Sequence, residues 1–268
     1  VLAVHCTETL PFGPFSILPD REAASLVKAT GGAVAVCDFL RDYLSRYGGK
    51  DSVVIPFPAY GPGPFPEYGN FDQGLVMMVN PSEIKGLSIL IGLAQAFPDT
   101  EFGTVVSWAA DGSTEEALRA VTNIKLVAAH PDVDSIFRRT RILLVPSLWQ
   151  EAFPAIVIEA MLRGIPVIAS QVGGLPEAKL ETRFVIPVNQ IREWTLGFSA
   201  KGISFVPKIP KQDLSPWITA LRTLLTDRRE YHSLSASSRR AALNFYNHIR
   251  VAAFEDYFTE VFRQNTVS

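Results

Sequence analysis

The chain has 268 residues, 25 basic against 27 acidic side chains and a net charge of −2, which gives no electrostatic reason to expect a nucleic acid or an anionic membrane as partner. Hydrophobic residues make up 47%, ample for a buried core, yet no apolar run approaches the ~18 residues that span a bilayer, and Val1 opens no signal-peptide pattern, so a soluble, cytoplasmic chain is expected. Only Cys6 and Cys37 occur, read as lone buried thiols rather than a disulfide framework, and His5, His130, His232 and His248 are too scattered for a metal site.

In chain order, Val1 to His5 reads as a strand, Thr7 to Pro19 as a proline-rich loop, and Arg21 to Thr30 as a helix leading into a strand at Ala33 to Cys37. Asp38 is placed to cap the next helix, which Gly48 and Gly49 end. Ala59 to Gly69, AYGPGPFPEYG, has the composition of a hinge. Strands and helices then alternate: Leu75 to Val79, a helix over Ser88 to Ala96, a strand over Glu101 to Ser107, a helix from Thr114, and a strand at Ile124 to Ala128. That βα alternation predicts an α/β fold with a parallel sheet, helices on both faces and right-handed crossovers.

The next stretch, Leu143 to Glu177, reads LLVPSLWQEAFPAIVIEAMLRGIPVIASQVGGLPE and carries Glu151 and Glu159 with seven residues between them. Ile142 to Val145 predicts a strand buried on both faces, and Pro154 suits a helix's first turn, where its missing N–H costs nothing. Gly164 is placed to end that helix in the left-handed region, Ile165 to Ala169 makes the next strand, and Gly173 and Gly174 form a second loop at the same sheet edge. A strand feeding a helix sets its loop at the carboxyl edge of the sheet, where free helix amides suit a phosphate or sugar hydroxyl. Pro187 to Pro216, with Trp194, Phe198 and Phe205, is too long for a simple connection and reads as a lid or an interface. Helices at Ser215 to Leu225 and Arg228 to Phe262, the latter with a break, finish the chain.

These motifs resemble the donor-binding core of retaining GT-B glycosyltransferases of family 4: two glutamates in that spacing, then A-M-x-x-G-x-P-V-I-A-S and G-G-x-P-E. Upstream, VNPSEIKG (Val79 to Gly86) is similar to the family's first C-domain turn, and AVAVCDFLRDYLSRY with SVVIPFP to the close of its N-terminal domain. The resemblance implies two Rossmann-like domains around a cleft. Since only residues 1–74 precede the C-domain, it further implies a truncated N-terminal remnant at 1–58, a hinge at 59–74, a nucleotide-sugar-binding domain at 75–247, and a helix at 248–268 packing back on the N-terminal part.

It also implies a role for each candidate residue. Glu159 meets ribose hydroxyls, its alternative being an ion pair with Arg163 one turn on. Glu151 holds a donor-sugar hydroxyl, or merely favours the helix dipole. Lys85 neutralises the diphosphate, or is simply solvated. Asn80 stands where the family has a second cation, and that loss is worth ~1.5–3 kcal/mol of diphosphate binding. In the loop after Glu151, Ala152 and Pro154 replace the family's glycines, leaving the amides of Ala152 and Phe153 as donors. Gly173 and Gly174 permit close backbone approach to ligand, or only a tight turn. His5 resembles the cleft histidine that contacts the transferred sugar, its alternative being a plain surface residue.

The implied reaction moves a sugar from a nucleotide diphosphate sugar to a hydroxyl of a small molecule or glycan, with retention, no metal and no resident cofactor. Two alternatives remain at this level: the fold repurposed for isomerisation or cyclisation using Glu151, Glu159 or His5, or a non-catalytic subunit, self-associating or pairing with a chain that completes the N-terminal domain.

Overall fold

The structure, a computed structural model, describes residues 1–107, 112–199 and 202–266. Two parallel sheets organise it. The first contains β1 (Leu2–Val4), β2 (Ala33–Ala35) and β3 (Val53–Val54) in that spatial order. Helix α1 (Arg21–Ala29) leads into β2, and α2 (Asp38–Tyr43) follows it, running on into a π-helical turn at Leu44–Gly48.

The second sheet has six parallel strands: β4 (Leu75–Val79), β5 (Phe102–Val105), β6 (Ile124–Val127), β7 (Thr140–Val145), β8 (Val167–Ser170) and β9 (Val185–Ile186). They are arranged β6-β5-β4-β7-β8-β9. Between them run α3 (Leu87–Ala96), α4 (Gly112–Arg119), α5 (Asp134–Phe137), α6 (Ala155–Leu162) and α7 (Leu175–Ala178). The period-two alternation of a strand divides its side chains between two cores. Val76, Met78, Ile142, Leu144 and Ile168 pack on one face, and Leu75, Met77, Leu143, Val167 and Ala169 on the other. The chain winds outward in opposite directions from β4 and β7, so the crevice at their carboxyl ends is a topological switch point.

After β9 come an antiparallel hairpin, β10 (Trp194–Ser199) and β11 (Gly202–Pro207), and helices α8 (Ser215–Thr226), α9 (Arg228–His248) and α10 (Ala252–Thr266). The long insertion thus contains a two-stranded hairpin; the side chains of Phe198 and Phe205 lie outside the described residues. Helix α10 lies against the first sheet. The Ala33 amide donates to Tyr257 Oη at 3.0 Å, that hydroxyl donates to the Ala33 carbonyl at 3.2 Å, and Phe57 stacks on Phe254.

The structure corrects several local expectations. Asp38 does not cap α2: it is the first helical residue, the cap position belongs to Cys37, and the orphan amides of Asp38 and Phe39 instead donate to the Glu177 carboxylate at 2.9 and 3.2 Å. Pro154 is the extended residue before α6 rather than a member of its first turn. Cys37 is buried but Cys6 is only partly so. The segment read as a hinge is packed, with Tyr60 and Phe65 buried against Phe245 and Tyr246 of α9. Among the described residues no helix is long and apolar enough to cross a membrane.

Candidate functional site

The β7–α6 loop, residues 146–154, is held from five directions. Leu148 N–H donates to the Ile84 carbonyl, and Leu148 in turn accepts from Ile191 N–H. Ser170 Oγ donates to the Ser147 carbonyl at 2.6 Å, Gly174 N–H to that of Glu151 at 2.7 Å, and the Cys37 thiol to that of Ala152 at 3.2 Å. The last bond comes from the first sheet, so the loop sits in the seam between the sheets. Burial of the Cys37 thiol pushes its pKa up to about 12, keeping it a neutral donor at ordinary pH.

On that loop the Glu151 carboxylate accepts from Lys85 Nζ and from Ser147 Oγ, each at 2.5 Å. Lys85 arrives on the turn after β4, where Gly86 is obligatory: its φ is +89°, and a Cβ there would lie 2.1 Å from the Pro146 carbonyl oxygen. Lys85, Glu151, Asn80, Ser107 and Ser147 line a cavity of about 580 Å³ at the switch point, together with Ala155 and Ile156 of the first turn of α6. Asn80 is left-handed, φ +59°, a region Asn tolerates better than most residues, and its Oδ1 accepts from Ser107 Oγ at 2.9 Å. Residues 108–111, beyond Ser107, lie outside the described residues.

A second cavity, of about 240 Å³, shares Glu151, Pro154 and Ala155 with the first and adds His5, Glu8, Tyr60, Gln150, Ala152 and Phe153 among others. His5 is exposed at the carboxyl end of β1, so the first sheet brings it to the same seam as Glu151. The Phe153 ring turns away to stack on Phe245.

Glu159 lines neither cavity. It lies one turn deeper along α6 than Ala155, and burial raises its carboxyl pKa, with Asp134 adding to the rise and Arg163 opposing it. The ion pair with Arg163 is absent: that guanidinium bonds Asp134 Oδ1 and only the backbone oxygen of Glu159. The Tyr60 phenol has its pKa raised by burial and then by the Glu159 charge, which puts Glu159 on the Tyr60 side of the helix. Gly173 and Gly174 abut protein rather than open space: an added Cβ would lie 2.2 Å from the Glu151 carbonyl oxygen and 1.6 Å from that of Ala152, respectively. Sequence reasoning assigned no role to Ser147, Glu8, Tyr60 or Glu177. Ser147 and Glu177 lie inside quoted motifs, whereas nothing local marks Glu8 or Tyr60.

Against known proteins, residues 75–198 match the family described as Glycosyl transferases group 1. An uncharacterized 42.6 kDa protein of the cps region of Klebsiella pneumoniae is 29% identical over 93 residues, 35% of this chain and 25% of its own length. A D-inositol 3-phosphate glycosyltransferase of Mycobacterium bovis is 34% identical over 68 residues, 25% of this chain and 14% of that protein. The chain thus spans a quarter or less of these curated relatives. Among solved structures, HepE of Anabaena in complex with UDP and glucose superposes with TM-score 0.68 at 15% identity, over 98% of this chain and 70% of that one. Sucrose-phosphate synthase of Thermosynechococcus elongatus gives 0.65 at 19%, over 92% and 62%. The α/β architecture, a parallel sheet flanked by helices, is that of the GT-B glycosyltransferases.

Proposed function

We propose that this chain carries out, or carries the donor half of, retaining sugar transfer from a nucleoside diphosphate sugar to a hydroxyl acceptor, with Lys85 and Glu151 at its centre. The observation that supports it most is the Lys85–Glu151–Ser147 cluster lining the switch-point cavity, on the domain that matches the glycosyltransferase family. In this reading Lys85 and the first-turn amides of α6 take the diphosphate, while Glu151 takes a donor hydroxyl and supports the cationic sugar carbon. The bond from that carbon to the diphosphate oxygen breaks with its electron pair leaving on the diphosphate. The acceptor oxygen then bonds the same face and its proton passes to the departing diphosphate. No resident cofactor or metal is invoked.

Asn80 supplies no charge, so Lys85 is the cation lining the cavity among the described residues, and Glu151 already engages it. A diphosphate must compete with Glu151 for that ammonium. In calorimetric titrations with UDP, GDP, ADP and TDP, one nucleotide is expected to bind, and Lys85→Ala should weaken it at least tenfold. Glu151→Gln, which frees Lys85, should leave nucleotide affinity unchanged or tighten it severalfold while abolishing transfer. If all four nucleotides leave the wild type untouched, the donor reading fails, and a repurposed small-molecule enzyme or a non-catalytic subunit replaces it.

A further inference from the structure

Beside the cavity of His5 and Glu151, in the same seam, lies another of about 430 Å³. Three aromatic rings dominate its walls. Phe15 and Trp194 each meet Trp149 edge-on, with centroids 5.6 and 5.1 Å apart. The walls are fixed in advance, since Phe15 N–H donates to Tyr43 Oη at 3.1 Å and Trp149 Nε1 donates to Glu8 Oε1 at 2.9 Å.

Two hydrogen-bonded pairs bridge this cavity and its neighbour, each with one member on either lining. They are Trp149 with Glu8, and Gln190 with Gln150, the latter at 2.9 Å. The two cavities therefore adjoin, with Trp149 and Gln150, successive residues of the β7–α6 loop, facing one each.

Three polar groups on these two linings are unused. Arg192, exposed on the lining, makes no ion pair among the described residues. Ser16 Oγ, in the same cavity, is buried with no partner, and so is the second carboxylate oxygen of Glu8, Oε2, on the neighbouring lining. Buried polar atoms left unpaired are costly, which makes them attractive to any ligand that completes them. Their order is informative: a cation by the aromatic cavity, ring-stacking walls within it, and a hydroxyl-seeking carboxylate next to Glu151.

Resting on the glycosyl-transfer reading, we infer that the aromatic cavity is the acceptor subsite and that the acceptor is an acidic glycoside. Its carboxylate or phosphate pairs with Arg192, its ring lies on Trp194 and Phe15, and a hydroxyl at the other end donates to Glu8 Oε2 on the way to Glu151. Arg192 and Trp194 act here as specificity determinants and leave the donor cavity alone.

The test uses the full chain and two probes of nearly equal shape, phenyl β-D-glucuronide and its neutral counterpart phenyl β-D-glucoside, titrated by calorimetry with and without the nucleotide. The wild type should bind the glucuronide at least tenfold more tightly than the glucoside. Arg192→Gln, at an exposed position, should erase that preference without changing glucoside affinity. Trp194→Ala should weaken both probes at least tenfold, and neither variant should move nucleotide affinity more than twofold. A glucuronide that fails to bind at millimolar concentration, or that binds equally well to both variants, overturns the acceptor assignment while nucleotide binding stands. If no nucleotide binds the wild type, the parent reading falls and the assignment with it.

Discussion

Lys179 is fully buried, its Nζ donating to the Val167 carbonyl at 2.5 Å, and among the described residues no carboxylate pairs with it. Burial alone lowers its pKa from 10.5 to about 7. Between those values the unfolded chain binds more protons than the folded one, so stability rises with pH across that window. The cost of the buried charge is fully present below pH 7 and fades above it. From pH 7 to 9 the urea midpoint should climb, by roughly 2 kcal/mol in stability, and Lys179→Met should flatten that slope. The window stops at 9 because Cys37, whose thiol pKa rises to about 12, contributes with the opposite sign beyond it. Single residues also mark where sequence reading stops. Asn80 reads as a missing cation, yet its left-handed backbone and its bond from Ser107 show a side chain suited to a backbone constraint that local pattern does not reveal.

Among the elements, the β7–α6 loop and the glycine turn after β8 form one unit, because the positions of Gly173 and Gly174 are filled by the carbonyls of Glu151 and Ala152. Those contacts are backbone on backbone, with no flexible side chain to yield. Gly174→Ala should therefore cost about 3 kcal/mol or more in urea unfolding and perturb nucleotide binding through Glu151. Gly112→Ala, which among the described residues meets nothing within 4 Å, is the control and should change stability by less than about 0.5 kcal/mol. Strands β4 to β8 and helices α3, α4 and α6 were legible in the sequence because burial on both faces and the Gly164 cap are properties of neighbours in the chain, whereas the short β9, α5 and α7 went unread. The hairpin β10–β11 was not, since its pairing is between strands of an insertion whose composition reads as irregular loop.

At the scale of the whole molecule, the two sheets are tied by groups drawn from both. Glu177, on α7, accepts from the first two amides of α2, and the Cys37 thiol donates into the Glu151 loop. Glu177→Gln removes the charged acceptor from the helix terminus and should cost roughly 1–2 kcal/mol. Its signature should be local: faster hydrogen exchange at Asp38 and Phe39, with the strands of the second sheet unchanged. This layer of the site was invisible in the sequence for a physical reason. Glu8, Tyr60 and Glu177 acquire their roles only when one sheet is set against the other, and no periodicity encodes that placement. The clasp between Tyr257 and Ala33 joins residues 224 positions apart. During synthesis β2 leaves the ribosome long before α10 exists, so the Ala33 amide and carbonyl must wait for Tyr257 while the second sheet is made. The first sheet is thus completed only after the second, and a nascent chain stalled before α10 should present it to chaperones and proteases.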